Sequence, residues 1–272
     1  MLLEGTHLLQ EVLRQGNAPE EIIATEAWLQ GHSALAARCS QARWRIVTDE
    51  VLRAALTTVT PDGVACLSPL DRLPTVPPEL DFLLVLDRIQ DPGNLGTLLR
   101  TALAADVNAV WMGAGVDPLG TKVLRASAGA LLQLPHQRFG PSEAMAISLL
   151  QQELKQLVAL GVQVVATLVP DATKADPPVP YWDLDWTLPT ALVLGTELFG
   201  VSGQGLEHVD RQILIPMEGM CQSLNVSVAA ALVLYEAQRQ RRLAGLYDHC
   251  RLDPDTRARL RFEWLHPSLA DF

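Results

Sequence analysis

Three short stretches of this 272-residue chain carry polar side chains at spacings that could do chemistry. In the first, Leu86-Asp87-Arg88-Ile89-Gln90-Asp91-Pro92-Gly93 leads into Asn94 and, six residues on, Arg100. The Pro92-Gly93 turn predicts a helix opening at Asn94, with the asparagine as its N-cap. Arg100 then sits roughly 9 Å further along the axis. Helical side chains lean toward the N-terminus, so its guanidinium could reach back over the end of the preceding strand and hold an anion. In the second stretch the apolar run Ala191–Leu194 breaks into Gly195-Thr196-Glu197-Leu198-Phe199-Gly200. Glycines five residues apart let backbone groups approach a flat ligand, and Glu197 supplies a polar group beside them. In the third, Ile215-Pro216 ends a strand and Ser223-Leu224-Asn225 opens a helix rich in alanine and valine. Ser223 is the natural N-cap there. Asn225 is then unexplained, because asparagine is a mediocre helix former in a first turn.

Other patterns exclude chemistry. Gly113-Ala114-Gly115 lacks the third glycine of a dinucleotide fingerprint, since Pro118 falls in its place. Gly200-Val201-Ser202 lacks the closing glycine of a nucleophile elbow. Four scattered cysteines and six scattered histidines offer neither a disulfide framework nor a zinc site, so no metal is expected and a reducing cytoplasm is. The net charge of −10 does not by itself favour a polyanionic partner, although 18 of the 21 basic residues are arginine, which suits phosphate. The longest apolar stretch, Val226 to Tyr235, is interrupted by Ser227 and is too short to span a membrane.

These stretches must be positioned by an α/β framework. Prolines 69, 74, 77 and 78 mark a linker over 69–80. Before it, helices are expected at Thr6–Gln15, Glu26–Ala37 and Glu50–Leu56, with strands at Ile22–Ala24, Arg45–Val47 and Val64–Leu67. After it, strands are expected at Phe82–Leu86, Ala109–Met112, Val162–Thr167, Ala191–Leu194 and Gln212–Ile215. Helices are expected at Leu95–Ala105, Thr121–Ala130, Ser142–Leu160 and Leu224–Leu243, and a proline-rich loop at Pro170–Pro189. Strands alternating with helices imply a mostly parallel sheet covered on both faces.

In this order, the three stretches resemble the signature motifs of the SpoU/TrmH branch of the knotted RNA methyltransferases. Asn94 and Arg100 match the first motif, Gly195 and Glu197 the second, Ser223 and Asn225 the third. Leu198 departs from the pattern, standing where the second motif usually has glycine. The resemblance covers about 80–243. It implies a trefoil-knotted methyltransferase domain over 81–244, a small L30e-like RNA-binding domain over 1–68 and a C-terminal tail over 245–272. The resemblance sets in close to the first residue, at Leu3-Glu4-Gly5, where relatives usually carry a further basic arm, and its absence would account for part of the acidic balance.

The same resemblance implies S-adenosyl-L-methionine as cofactor, held by Gly195, Glu197, Gly200, Ile215, Leu224 and Asn225. It implies methyl transfer to a ribose 2′-hydroxyl of tRNA or rRNA in a cytoplasmic homodimer, with Asn94, Arg100, Glu197, Ser223 and Asn225 in the catalytic set. Arginine stays protonated in proteins, so Arg100 is expected to clamp a phosphate and stabilise oxyanion charge, fixed in place by Asn94. Two alternatives remain: a non-catalytic RNA-binding module of the same fold, and a Rossmann-type nucleotide enzyme.

Overall fold

A computed structural model describes residues 1–167, 178–195, 209–220 and 223–248. The chain divides into two compact units, one built on Met1–Arg72 and the other on Leu73–Ala244.

The first unit contains β1 (Leu2–Glu4), α1 (Thr6–Arg14), β2 (Glu21–Ala24), α2 (Glu26–Gly31), α3 (Ser33–Arg38), β3 (Arg43–Ile46), α4 (Asp49–Ala55) and β4 (Val64–Leu67). The sheet order is β1-β4-β2-β3, with β4 antiparallel to both neighbours and β2 parallel to β3. Leu3, Leu9, Ile22, Trp28, Leu52 and Val64 form its buried centre. The single helix expected over Glu26–Ala37 is broken at His32, whose φ of −131° is not helical. Gly31 weakens the helix there, and the His32 ring stacks on Trp28 at 4.7 Å instead. Strand β1 was not anticipated. It is anchored by the buried Glu4 carboxylate, which accepts from the amides of Thr57 (2.9 Å) and Thr58 (3.1 Å). Cys39 and Cys66 are free and buried. Burial, with Cys39 nearby, pushes the Cys66 thiol up to about 12, so it packs as a neutral group.

The second unit contains β5 (Phe82–Leu86), α5 (Pro92–Ala104), β6 (Ala109–Met112), α6 (Thr121–Ala126), β7 (His136–Arg138), α7 (Glu143–Ala159), β8 (Gln163–Thr167), β9 (Val179–Pro180), β10 (Thr190–Leu194), β11 (Arg211–Leu214) and α8 (Val226–Leu243). All seven strands run parallel, in the order β7-β6-β5-β10-β8-β11-β9. Every residue of β5, β6 and β10 is buried, as expected of central strands covered on both faces. The chain lays β5, β6 and β7 outward in one direction. It then starts again on the far side with β8 and returns to insert β10 between β5 and β8. The sheet therefore reverses its winding beside β5, and the crevice outside the carboxyl ends of the strands there is where open α/β sheets bind ligands.

Helix α6 stops at Ala126 rather than Ala130, because Ala128 and Gly129 take positive φ and a single 3-10 turn, Ala130–Leu132, follows. Helix α5 crosses close to that end. A Cβ on Gly96 would lie 2.4 Å from the Ala126 Cβ and 2.7 Å from the Ser127 amide nitrogen, so only glycine fits. Strand β7 was not anticipated, nor was β9, which lies inside the expected loop at Pro170–Pro189.

The far end of α8 is pinned by Arg241, which is wholly buried. Its guanidinium pairs with Asp81 just before β5, donates to the Trp186 carbonyl at 3.1 Å and lies 5.1 Å from the centre of the Phe82 ring. Replacing one partner of a buried, hydrogen-bonded charge strands the rest, at a typical loss of about 3–5 kcal/mol, with the lower end apt here because Asp81 is partly exposed. Arg241→Ala should therefore lower the unfolding free energy by about 3 kcal/mol in urea titration. A loss below about 1 kcal/mol, ordinary for a surface pair, would show that Arg241 does not anchor the helix.

Candidate functional site at the carboxyl edge of the parallel sheet

The ends of the three central strands are held level by main-chain bonds. The Asp87 amide donates to the Leu194 carbonyl at 2.8 Å, and the Gly113 amide to the Leu86 carbonyl at 2.9 Å. Gly195 is buried directly after β10, beside Asp87. The loop Asp87–Asp91 then turns into α5.

The cap of α5 is Asp91, not Asn94. The Asp91 carboxylate accepts from the Asn94 amide at 2.7 Å, and Pro92 occupies the first helical position. Proline there is preorganised for the helix and has no amide to leave unsatisfied, so the helix begins three residues earlier than expected. This releases the Asn94 side chain for another partner. Its Oδ1 accepts from Asn225 Nδ2 at 3.0 Å, across 131 residues of sequence. The Ser227 hydroxyl donates to the Asn94 carbonyl at 3.2 Å.

At α8 the cap is likewise not the expected residue. Asn225 caps it, with its Oδ1 accepting from the Ser227 amide at 2.9 Å, while Ser223 lies exposed two residues earlier. Asn225 thus uses both halves of its amide: the oxygen closes the helix and the NH2 reaches Asn94. A serine has one hydroxyl proton to give and a carboxylate has none, which explains an amide at this position. Ser227, buried at the start of α8, was not singled out as functional. Its only mark in the sequence is a hydroxyl inside an otherwise apolar run.

Arg100 is exposed and no described carboxylate pairs with it. Asn94 does not hold it. Six residues of helix leave the two side chains about 120° apart around the axis, and Asn94 turns to α8 instead. Ile215, just past β11, and Leu224 are half-buried, and Met217 and Met220 nearby in sequence are exposed. Glu197, Leu198 and Gly200 lie outside the described residues. The first and third stretches are therefore joined by direct hydrogen bonds, the first and second by the neighbouring ends of β5 and β10. Among the described residues no three His, Cys, Asp or Glu gather as metal ligands would, and no helix is long and apolar enough to cross a membrane. Chemically, the edge offers half-open apolar surface for a flat ring and polar amides already fixed in place, and α5 carries an exposed guanidinium, Arg100, further along its length.

Comparison with known proteins agrees with this geometry. The SpoU rRNA Methylase family matches residues 81–235, and the family's C-terminal segment, described as SpoU, rRNA methylase, C-terminal, matches 239–272. An uncharacterised tRNA/rRNA methyltransferase of Synechocystis sp. is 40% identical over 88% of this chain and 84% of its own length. The 23S rRNA (guanosine(2553)-2′-O)-methyltransferase RlmP of Bacillus subtilis is 32% identical over 86% of each. Among solved structures, the SpoU methyltransferase AviRb from Streptomyces viridochromogenes, in complex with AdoMet, superposes with a TM-score of 0.69 at 27% identity, covering 90% of this chain and 91% of that one.

The bond between the two asparagines is measurable. Asn225→Ala removes a cap and should cost about 1 kcal/mol from that alone. In a double-mutant cycle with Asn94→Ala, the two changes should show a coupling of about 1 kcal/mol, the usual net contribution of one hydrogen bond. Strictly additive unfolding energies would mean that the side chains do not interact.

Proposed function

Because the chain belongs to the SpoU family of RNA methylases, we propose that it transfers a methyl group from S-adenosyl-L-methionine to a ribose 2′-hydroxyl of structured RNA, tRNA or rRNA. The observation that carries this reading is the Asn225–Asn94 bond at the point where the sheet reverses, which draws the first and third motifs into one site.

The residues fit the cofactor. Half-buried Ile215 and Leu224 suit an adenine ring, and Gly195, without a side chain at the end of β10, leaves room for close approach. Glu197, Gly200 and Asn225 complete the cofactor set in this reading. When bound, S-adenosylmethionine supplies a methyl group on a positively charged sulfonium. The protein has to orient the ribose, exclude water from its oxygen and stabilise the negative charge that grows there. Arg100 does the last of these as a permanent cation, gripping the phosphate next to the acceptor ribose. Glu197 and Ser223 orient the ribose. The Asn94–Asn225 pair keeps the two helix starts, α5 and α8, in register while this happens.

Three finer features belong to the same reading. The segment following β11 threads the family's trefoil knot; the insertion of β10 beside β5 and the return of α8 to Asn94 support this. Two copies pair through α8, where Val228, Leu232 and Tyr235 leave apolar surface exposed at helical spacing. The first unit is an L30e-like domain that docks RNA and contributes nothing to cofactor binding. The enzyme works in the cytoplasm, where buried free thiols such as Cys66 stay reduced. A chain starting near Glu79 should bind the cofactor normally, sediment as a dimer and lose RNA affinity; loss of cofactor binding in that folded truncation would refute the division of labour.

The acceptor is tested by replacing the target ribose with deoxyribose, which should abolish methylation and leave RNA binding nearly intact; continued transfer would mean that a base is the target. In the same single-turnover assay Arg100→Lys should slow transfer about a hundredfold, equivalent to roughly 3 kcal/mol of transition-state stabilisation. Lysine keeps the charge but lacks the planar fork, so wild-type rates in this variant would remove Arg100 from the mechanism.

A further inference from the structure

Arg88 is held by its loop in a conformation that its residue type disfavours. It follows Asp87 at the carboxyl end of β5, and its φ is +58°. A side chain bearing a Cβ is strained in this left-handed region, where glycine or asparagine would be comfortable. The loop enforces it from both sides: the Asp87 amide is bonded to Leu194, Ile89 bridges to Gly115, and the Val116 amide donates to the Ile89 carbonyl at 2.9 Å. The side chain is four-fifths buried, and its Nε is enclosed with no hydrogen-bond partner. The Asp87 carboxylate, buried beside it, approaches only to 3.6 Å, an ion-pair contact too long for a hydrogen bond. Strain and an unmade guanidinium bond thus coincide at one residue, at the ligand-binding edge of the sheet. Such costs persist where they serve a function.

We propose that Arg88 is a substrate-binding residue that takes a backbone phosphate of the RNA beside the acceptor nucleotide. The proposal rests on the methyltransferase reading above. The enclosed Nε faces Asp87, so the exposed fifth of the side chain is its outer nitrogens, which make no hydrogen bond among the described residues. They call for an oxyanion, and each substrate of that reaction brings one: RNA its phosphates, the cofactor a carboxylate. Arg88 and Arg100 stand six residues either side of Asn94 in the sequence, so the first motif carries two guanidiniums. A polyanionic strand needs several such points, whereas a lone carboxylate needs one. In a chain of net charge −10, RNA can be held only where positive charge is concentrated.

Two full-length variants test this: Arg88→Asn, which tolerates positive φ but has no charge, and Arg88→Lys, which restores the charge without the fork. RNA affinity is measured over a range of salt concentrations, alongside cofactor titration, thermal melting and single-turnover methylation. Arg88→Asn should melt within a few degrees of wild type, because relief of the strained φ is offset by loss of the contact with buried Asp87. It should bind RNA about tenfold more weakly, and its logarithmic salt slope should fall by roughly one unit, as for one lost phosphate contact. Cofactor affinity should not change. Arg88→Lys should recover the salt slope but not the full turnover. An unchanged slope in Arg88→Asn overturns the proposal. If cofactor affinity falls instead, the anion is the cofactor's carboxylate; if only melting falls, Arg88 is structural. RNA binding is read without turnover, so a wild-type protein that binds RNA but never methylates it would sink the methyltransferase reading separately.

Discussion

The amide of Asn225 is where the order of the second unit converges. Its oxygen closes the first turn of α8, its nitrogen bonds Asn94, and the hydroxyl of Ser227, two residues on, seals the same junction. Each such bond contributes only about 1 kcal/mol. Their consequence is geometric rather than energetic. They fix the start of the last helix against the start of α5, and with it the loop that leaves β5. Everything at the carboxyl edge of the sheet is placed relative to that junction.

The opposite end of α8 is secured by a different kind of force. Arg241 is buried in full, and its charge is tolerable only because Asp81, the Trp186 carbonyl and the Phe82 ring surround it. Asp81 precedes β5 and Asn94 follows it, so one helix is tied to both ends of the central strand. The helix therefore runs opposite to the strands it covers and cannot slide along them.

The central strands were legible because they are buried on both faces: Phe82–Leu86 and Ala109–Met112 are continuous apolar runs, and their expected bounds match the structure. Strands β1, β7 and β9 were not, since two or three residues carry no period that a pattern can reveal. The parallel α/β layout followed from the alternation of elements, but the insertion of β10 beside β5 did not, because strand order is a long-range property. Asn94, Arg100, Ser223 and Asn225 stand out by type and spacing; the structure joins two of them, Asn94 and Asn225, and that bond is not readable from the sequence. Both caps were placed on the wrong residue, at Asn94 rather than Asp91 and at Ser223 rather than Asn225. Both caps are made by local bonds, Asp91 with Pro92 behind it and Asn225 two residues before Ser227; what the sequence hides is the bond between Asn94 and Asn225, 131 residues apart. The positive φ of Arg88 leaves no trace in composition at all.

The two margins of the seven-stranded sheet differ in kind from its middle. On one side β7 is three polar residues entered through Pro135; on the other β9 is two residues ending in Pro180. Proline offers no amide to a further strand, and so short a margin gives an incoming chain little to zip against. The apolar β5 and β10, which would be hazardous if their backbones were open, are screened by these blunt borders. Crowded copies of the folded protein accordingly meet two short margins along this sheet rather than its long apolar strands.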